Sequence, residues 1–170
     1  MSISGLRKVI KENELYNNFI FPFGNSIIFT NKQILVRDDP NLIEYFGNFL
    51  LSKLIKDGSA CNLGVEGSKI KFLGEKQPPD RESVKSYLEA DITNIILLDP
   101  TKKLRVQKGE IETYELPKDG VVTSVVNRLY FDYLTSVGYD QVGVTSVEKY
   151  HPIYCIQKDI IRSVCMSIGP

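Results

Sequence analysis

The spacing of apolar and polar positions divides the chain into short segments of two periods. Residues 3–16 place Leu6, Val9, Ile10 and Leu15 on one helical face and Arg7, Lys8, Lys11 and Glu12 on the other, which predicts an amphipathic helix. Phe19-Ile20-Phe21-Pro22-Phe23 and Ile27-Ile28-Phe29-Thr30 are β-rich runs split by Gly24-Asn25. A further run, Gln33-Ile34-Leu35-Val36, follows the turn-forming pair Asn31-Lys32. Pro22 has no N–H for a ladder, so the first run reads as an edge strand or as broken there. Asp39 as N-cap and Pro40 at the first helical position then open a helix. Leu42, Ile43, Phe46, Phe49, Leu50 and Leu54 repeat along it until Gly58 stops it, and the broad stripe places it in the core.

Residues 58–69 read as a Gly- and Ser-containing connection to a short strand, Ile70–Leu73. Pro78-Pro79-Asp80 opens a short helix with Val84, Tyr87 and Leu88 inward. The nearly unbroken apolar run Ile92–Leu98 predicts a strand buried on both faces. Leu104–Val106 and Ile111–Tyr114 flank Lys108-Gly109 as a hairpin, and Lys118-Asp119-Gly120 precede a helix over Val121–Val137 that Gly138 ends. Val142–Val147 and Ile153–Ile156 read as strands, while residues 159–168 fit strand or helix. This order predicts an α+β fold in a single domain, residues 1–170, with a mostly antiparallel mixed sheet and three or four helices. A division near residues 74–80 is the alternative.

Composition adds exclusions. Of the 170 residues, 42% are apolar and 25% charged, which is ordinary for a globular protein and excludes a disordered tail, a collagen-like repeat or a coiled-coil rod. Twenty-one basic residues balance twenty-one acidic ones, so general nucleic-acid binding, which relies on basic surface, is not expected. The densest basic cluster, Lys102-Lys103-Leu104-Arg105 with Lys108, fits a solvated hairpin whose edge lysines discourage aggregation. Cys61, Cys155 and Cys165 are odd in number and widely spaced, which implies reduced, buried thiols and neither a disulfide framework nor a zinc ribbon. No apolar run is long enough for a membrane helix, and residues 1–8 lack the features of a signal peptide. The expected location is the cytoplasm, or a larger particle assembled there.

Catalytic signatures are scarce. Gly64-Val65-Glu66-Gly67-Ser68-Lys69 imitates a phosphate-binding loop but lacks the Gly-Lys-Ser/Thr ending. A single histidine, His151, lies four residues before Cys155. In one strand the two would be about 13 Å apart, beyond reach of a thiol–imidazole pair. The nuclease pattern of an acid, one intervening residue and a lysine is absent; Glu66 and Lys69 miss it by one position. Leu51-Ser52-Lys53-Leu54-Ile55-Lys56-Asp57-Gly58-Ser59 resembles the helix-ending acidic motif of LAGLIDADG homing endonucleases, which implies a metal-holding carboxylate at Asp57. Lys53 and Lys56 depart from that family's small residues for close helix packing, and an acid before a helix-stopping glycine accounts for the same residues. Asp57, Glu66 and His151 are therefore the weak candidates for catalysis, and no metal site or cofactor is assigned. Glu110 and Glu112 read as alternating solvent residues on one hairpin face.

The aromatic residues, seventeen Phe and Tyr, cluster at Phe19, Phe21, Phe23 and Phe29, at Tyr130, Phe131 and Tyr133, and at Tyr150 and Tyr154. The first cluster fits core or an interface with another chain. Together these features lead to the expectation of a non-catalytic interaction or assembly subunit whose partners are other protein subunits, a homo-oligomer being one form. The Ile-, Lys- and Asn-rich texture fits a virus or phage particle component. The alternative is a small metal-dependent hydrolase or nuclease using carboxylates from separate segments.

Overall fold

A computed structural model describes residues 3–13, 18–55, 58–148 and 150–169. The chain is α+β, and it divides into two units, Met1–Val84 and Lys85–Pro170. In each, every described strand pairing is antiparallel. Among the described residues no helix is long and apolar enough to cross a membrane.

The first unit opens with α1 (Ile3–Glu12), which buries Leu6, Val9 and Ile10 as its period dictates. Leu15 lies outside the described residues. Asn18 closes the helix: its Nδ2 donates to the carbonyls of Ile10 (3.0 Å) and Asn13, groups that a helix end leaves unpaired. The strands are β1 (Asn18–Phe23), β2 (Ser26–Thr30), β3 (Ile34–Arg37), β4 (Ala60–Glu66) and β5 (Lys69–Lys76), ordered β5-β4-β1-β2-β3. The β1–β2 hairpin turns at Gly24-Asn25, as the sequence predicts, with Phe23 opposite Ser26. Pro22 is tolerated because β4 pairs only with Asn18–Ile20, so the end of β1 is free on that side. At the next turn the Asn31 side-chain oxygen accepts from the N–H groups of Gln33 and Ile34. The Gly- and Ser-containing stretch 58–69 is mostly strand. Leu63 is buried, Gly64 lies under the Leu73 side chain, and β4 turns into β5 at Gly67-Ser68.

The helix expected from residue 40 to Gly58 is two helices, α2 (Pro40–Phe46) and α3 (Asn48–Leu54). Asp39 caps the first by accepting from Asn41 N–H at 2.9 Å. Gly47 breaks the ladder with φ 80° and ψ 148°, a conformation that carries no helix and favours glycine. That split gives five α-helices among the described residues, where three or four were expected.

The boundary between the units falls within α4 (Arg81–Leu88), whose first turn is closed by Asp80 accepting from Ser83 N–H at 3.2 Å. In the second unit the apolar run at 92–98 is not a strand buried on both faces. Asp91 caps a single 3-10 turn at Ile92–Asn94, and only Ile96–Leu98 (β6) is strand, with Leu97 exposed. β7 (Leu104–Lys108), β8 (Ile111–Lys118) and β9 (Val121–Asn127) form a three-stranded sheet. The helix expected from Val121 begins only at Arg128. Asp119 (φ 50°) and Gly120 (φ 81°) both have positive φ, the sign pattern of a type I′ hairpin turn, and the β-branched run that follows continues as strand. Asn127 then caps α5 (Arg128–Val137) by accepting from Leu129 N–H at 2.9 Å. α5 buries Tyr130, Phe131, Tyr133, Leu134 and Val137 and packs on β8 and β9. β10 (Gln141–Val144), β11 (Ile153–Gln157) and β12 (Ile160–Cys165) follow, in the order β12-β11-β10-β6. The last segment is thus strand.

Candidate functional site

Two of the three thiols are withdrawn from solvent. Cys155 and Cys165 are fully buried on the β11–β12 hairpin, where Cys155 pairs with Ser163 and Cys165 with Ile153. Burial pushes the Cys155 thiol up to about 12, against a smaller downward pull from the Ser163 hydroxyl. Burial, and then the neighbouring Cys155, raises Cys165 as well. Cys61 is half-buried and its Sγ donates to Leu54 O at 3.1 Å. His151 lies just before β11, at the entry to the strand that the sequence places at Ile153–Ile156. It is tied through its backbone: its carbonyl accepts from Ser124 Oγ at 2.6 Å and its N–H donates to Thr123 O.

The carboxylates separate in the same way. Asp57 lies outside the described residues. Glu66, at the exposed end of β4, forms an ion pair with Lys71. Asp38 accepts from Ile27 N–H at 2.8 Å, so with Asp39 and Asp80 it serves the backbone. Among the described residues no three His, Cys, Asp or Glu side chains gather where they could hold a metal ion.

Glu112, by contrast, is no ordinary solvent residue, and Glu110 does not share its face, because Glu110 occupies the turn between β7 and β8. Glu112 accepts from Arg105 Nη2 at 2.7 Å on one oxygen and from Arg128 Nη1 on the other. Arg128 Nε reaches Asp132 Oδ2 at 3.3 Å, and the Tyr114 hydroxyl donates to Asp132 Oδ1 at 2.8 Å. The two arginines, Arg105's hydrogen bond foremost, hold the Glu112 carboxyl below the usual range. Tyr114 is raised by burial and then by Asp132. Two cations and two anions thus cancel, and every one of these carboxylate oxygens is engaged. The cluster ties the β7–β8 hairpin to α5 and leaves no free base. Sequence reasoning missed it, although the Arg128–Asp132 spacing of four on a helix was a usable signal.

Of the two readings open for Phe19, Phe21, Phe23 and Phe29, core or interface, the burial within the chain is that of core residues. Phe29 is inaccessible, Phe21 and Phe23 are buried, and only Phe19 is half-buried. β1 has neighbours on both sides over residues 18–20, which draws its residues inward. Arg81 lies over the Phe23 ring at 4.7 Å and helps wall a cleft of about 190 Å³ with Pro22, Pro78 and Pro79.

Large apolar side chains are exposed at several places, among them Leu73, Leu104 and Val121, and the most exposed of them lies on α3. Phe49 is 73% exposed and Leu50 and Tyr45 are exposed beside it in sequence, while Leu51 is the buried residue of α3. Lys53 Nζ sits 4.3 Å from the Phe49 ring centroid. Tyr45 and Phe46 meet edge to face at 4.8 Å, and Phe46 packs at a tilt, 4.6 Å from Phe72 of β5, so Tyr45 adjoins a packed aromatic pair. Comparison with protein-family models, curated proteins and solved structures returned no match for this chain.

Proposed function

We propose that this chain is a non-catalytic assembly subunit that joins other protein chains, its own copies first among them, through the α2–α3 surface. The observation that carries this reading is Phe49, a phenyl group left 73% exposed on a helix whose neighbours Tyr45 and Leu50 are also exposed. Single exposed apolar residues are common, but Tyr45, Phe49 and Leu50 expose three large side chains within six residues of chain, a composition that suits an interface core. Burying the phenyl would contribute about 2 kcal/mol to association. The buried thiols and the self-neutralised Arg–Glu–Arg–Asp cluster support a non-catalytic role. A larger particle assembled in the cytoplasm, such as that of a virus or phage, is the setting this reading implies.

Light scattering over a range of concentrations tests it. The mass should rise above the 19.3 kDa of one chain, and Phe49→Ser should return it toward that value while the far-UV circular dichroism of the folded chain is retained. A single-chain mass at every concentration, or assembly indifferent to Phe49→Ser, sinks the proposal.

A further inference from the structure

A second surface of the first unit carries charge instead of apolar groups. Arg7, Lys8 and Lys11 of α1 face the tight Gly67-Ser68 turn between β4 and β5. With Ser4 they line a recess of about 320 Å³ in which, among the described residues, no acidic side chain takes part, Glu44 lining the adjoining recess that shares Arg7 and Ser68. Among the described residues neither Lys8 nor Lys11 belongs to an ion pair, and Glu66 beside the turn gives its charge to Lys71. The imbalance is local, because the whole chain is neutral.

Two details show that the cluster is arranged. Arg7 Nη1 donates to Ser68 O at 2.7 Å, which fixes the guanidinium against the turn while its other N–H groups keep their donor capacity. Arg7 and Lys11 stand four apart on one helix, a like-charge spacing that is unfavourable unless an anion lies between them. The stretch that imitates a phosphate-binding loop in sequence, residues 64–69, supplies the opposite wall, although as a hairpin turn and not at a helix start.

We infer that this recess binds a phosphate group of a small phosphorylated molecule. Arg7 provides the directional donors, and Lys8 and Lys11 provide compensating charge. The volume is that of a small-ligand site. A nucleic-acid backbone is the less fitting occupant, since three cations in one recess do not make the extended basic track that a polyanion needs.

Titration calorimetry with pyrophosphate as the probe, at physiological salt, tests the inference. Saturable one-to-one binding is expected, weakened about tenfold or more by Lys11→Gln and by Arg7→Gln. Lys11 is exposed and makes no described contact with the fold, so Lys11→Gln keeps the test valid if the loss of the Arg7–Ser68 bond disturbs the turn. Absence of saturable binding, or binding unaltered by Lys11→Gln, overturns the site. A single-stranded oligonucleotide that binds more tightly than pyrophosphate, and loses that binding in the same variants, overturns the small-molecule assignment.

Discussion

The two buried thiols give the fold a defined alkaline weakness. In the unfolded chain a cysteine ionises near its ordinary value of about 8.5, whereas burial holds Cys155 neutral up to about 12. The folded pKa is raised, so the contribution is fully present below the unfolded value and is lost as pH rises from there toward the folded one. At pH 10 the unfolded thiolate is favoured over its thiol by about thirtyfold, which removes about 2 kcal/mol of stability for each thiol kept neutral in the fold. Total stabilities of 5–15 kcal/mol are typical of domains, so the loss from one thiol is readily measurable. Urea unfolding at pH 7 and pH 10, under reductant, is the assay. Cys155→Ala makes a small cavity with a cost that is the same at both pH values, so it cancels in the difference. The parent chain should lose about 2 kcal/mol more than Cys155→Ala between the two pH values. Equal losses would refute the claim that the fold excludes the thiolate.

Two further outcomes follow from particular contacts. A Cβ at Gly143 would meet Ile95 Cγ2 at 2.3 Å and the Ile96 carbonyl oxygen at 2.6 Å, and β10 is held between β6 and β11, so Gly143→Ala should cost about 1–3 kcal/mol in urea unfolding. At Gly64 the Cβ would meet only the side chain of the exposed Leu73, which can swing aside, so Gly64→Ala should cost much less; equal costs would show that backbone confinement is not the cause. The Glu112 carboxyl is held below its ordinary value by Arg105 and Arg128, so its contribution is present above the unfolded value and disappears as pH falls through the folded one. Glu112→Gln should flatten the acid limb of the melting curve against pH, and an unchanged limb would show that the two arginines do not stabilise the carboxylate.

Local chemistry made much of the fold legible. The turns at Gly24-Asn25 and Asn31-Lys32, the caps Asp39 and Asp80, and the apolar stripe of α1 all work through groups a few residues apart, which a sequence displays directly. Where two local signals competed, the reading failed. Asp119-Gly120 serves equally as a helix start or a type I′ turn, and the decision rested on Val121–Val126, whose pairing partners in β8 are not adjacent in sequence. The Arg105–Glu112–Arg128 cluster is invisible for the same reason. It exists only after the β7–β8 register and the start of α5 bring three separate segments together.

The proposed interface was missed through one residue. If residues 40–58 were a continuous helix, Phe46, Phe49 and Leu50 would continue the stripe begun by Leu42, and all would be core. Gly47 at φ 80° interrupts the helix, and the phase of α3 is set afresh after the break. Leu51 then takes the inward position and Phe49 is left in solvent. The mistaken helix length and the mistaken burial of Phe49 are therefore one error. An apolar stripe predicts burial only as far as the helix that carries it stays in phase, and a glycine within the stripe is the position at which apolar residues can pass from core to surface with no change in composition.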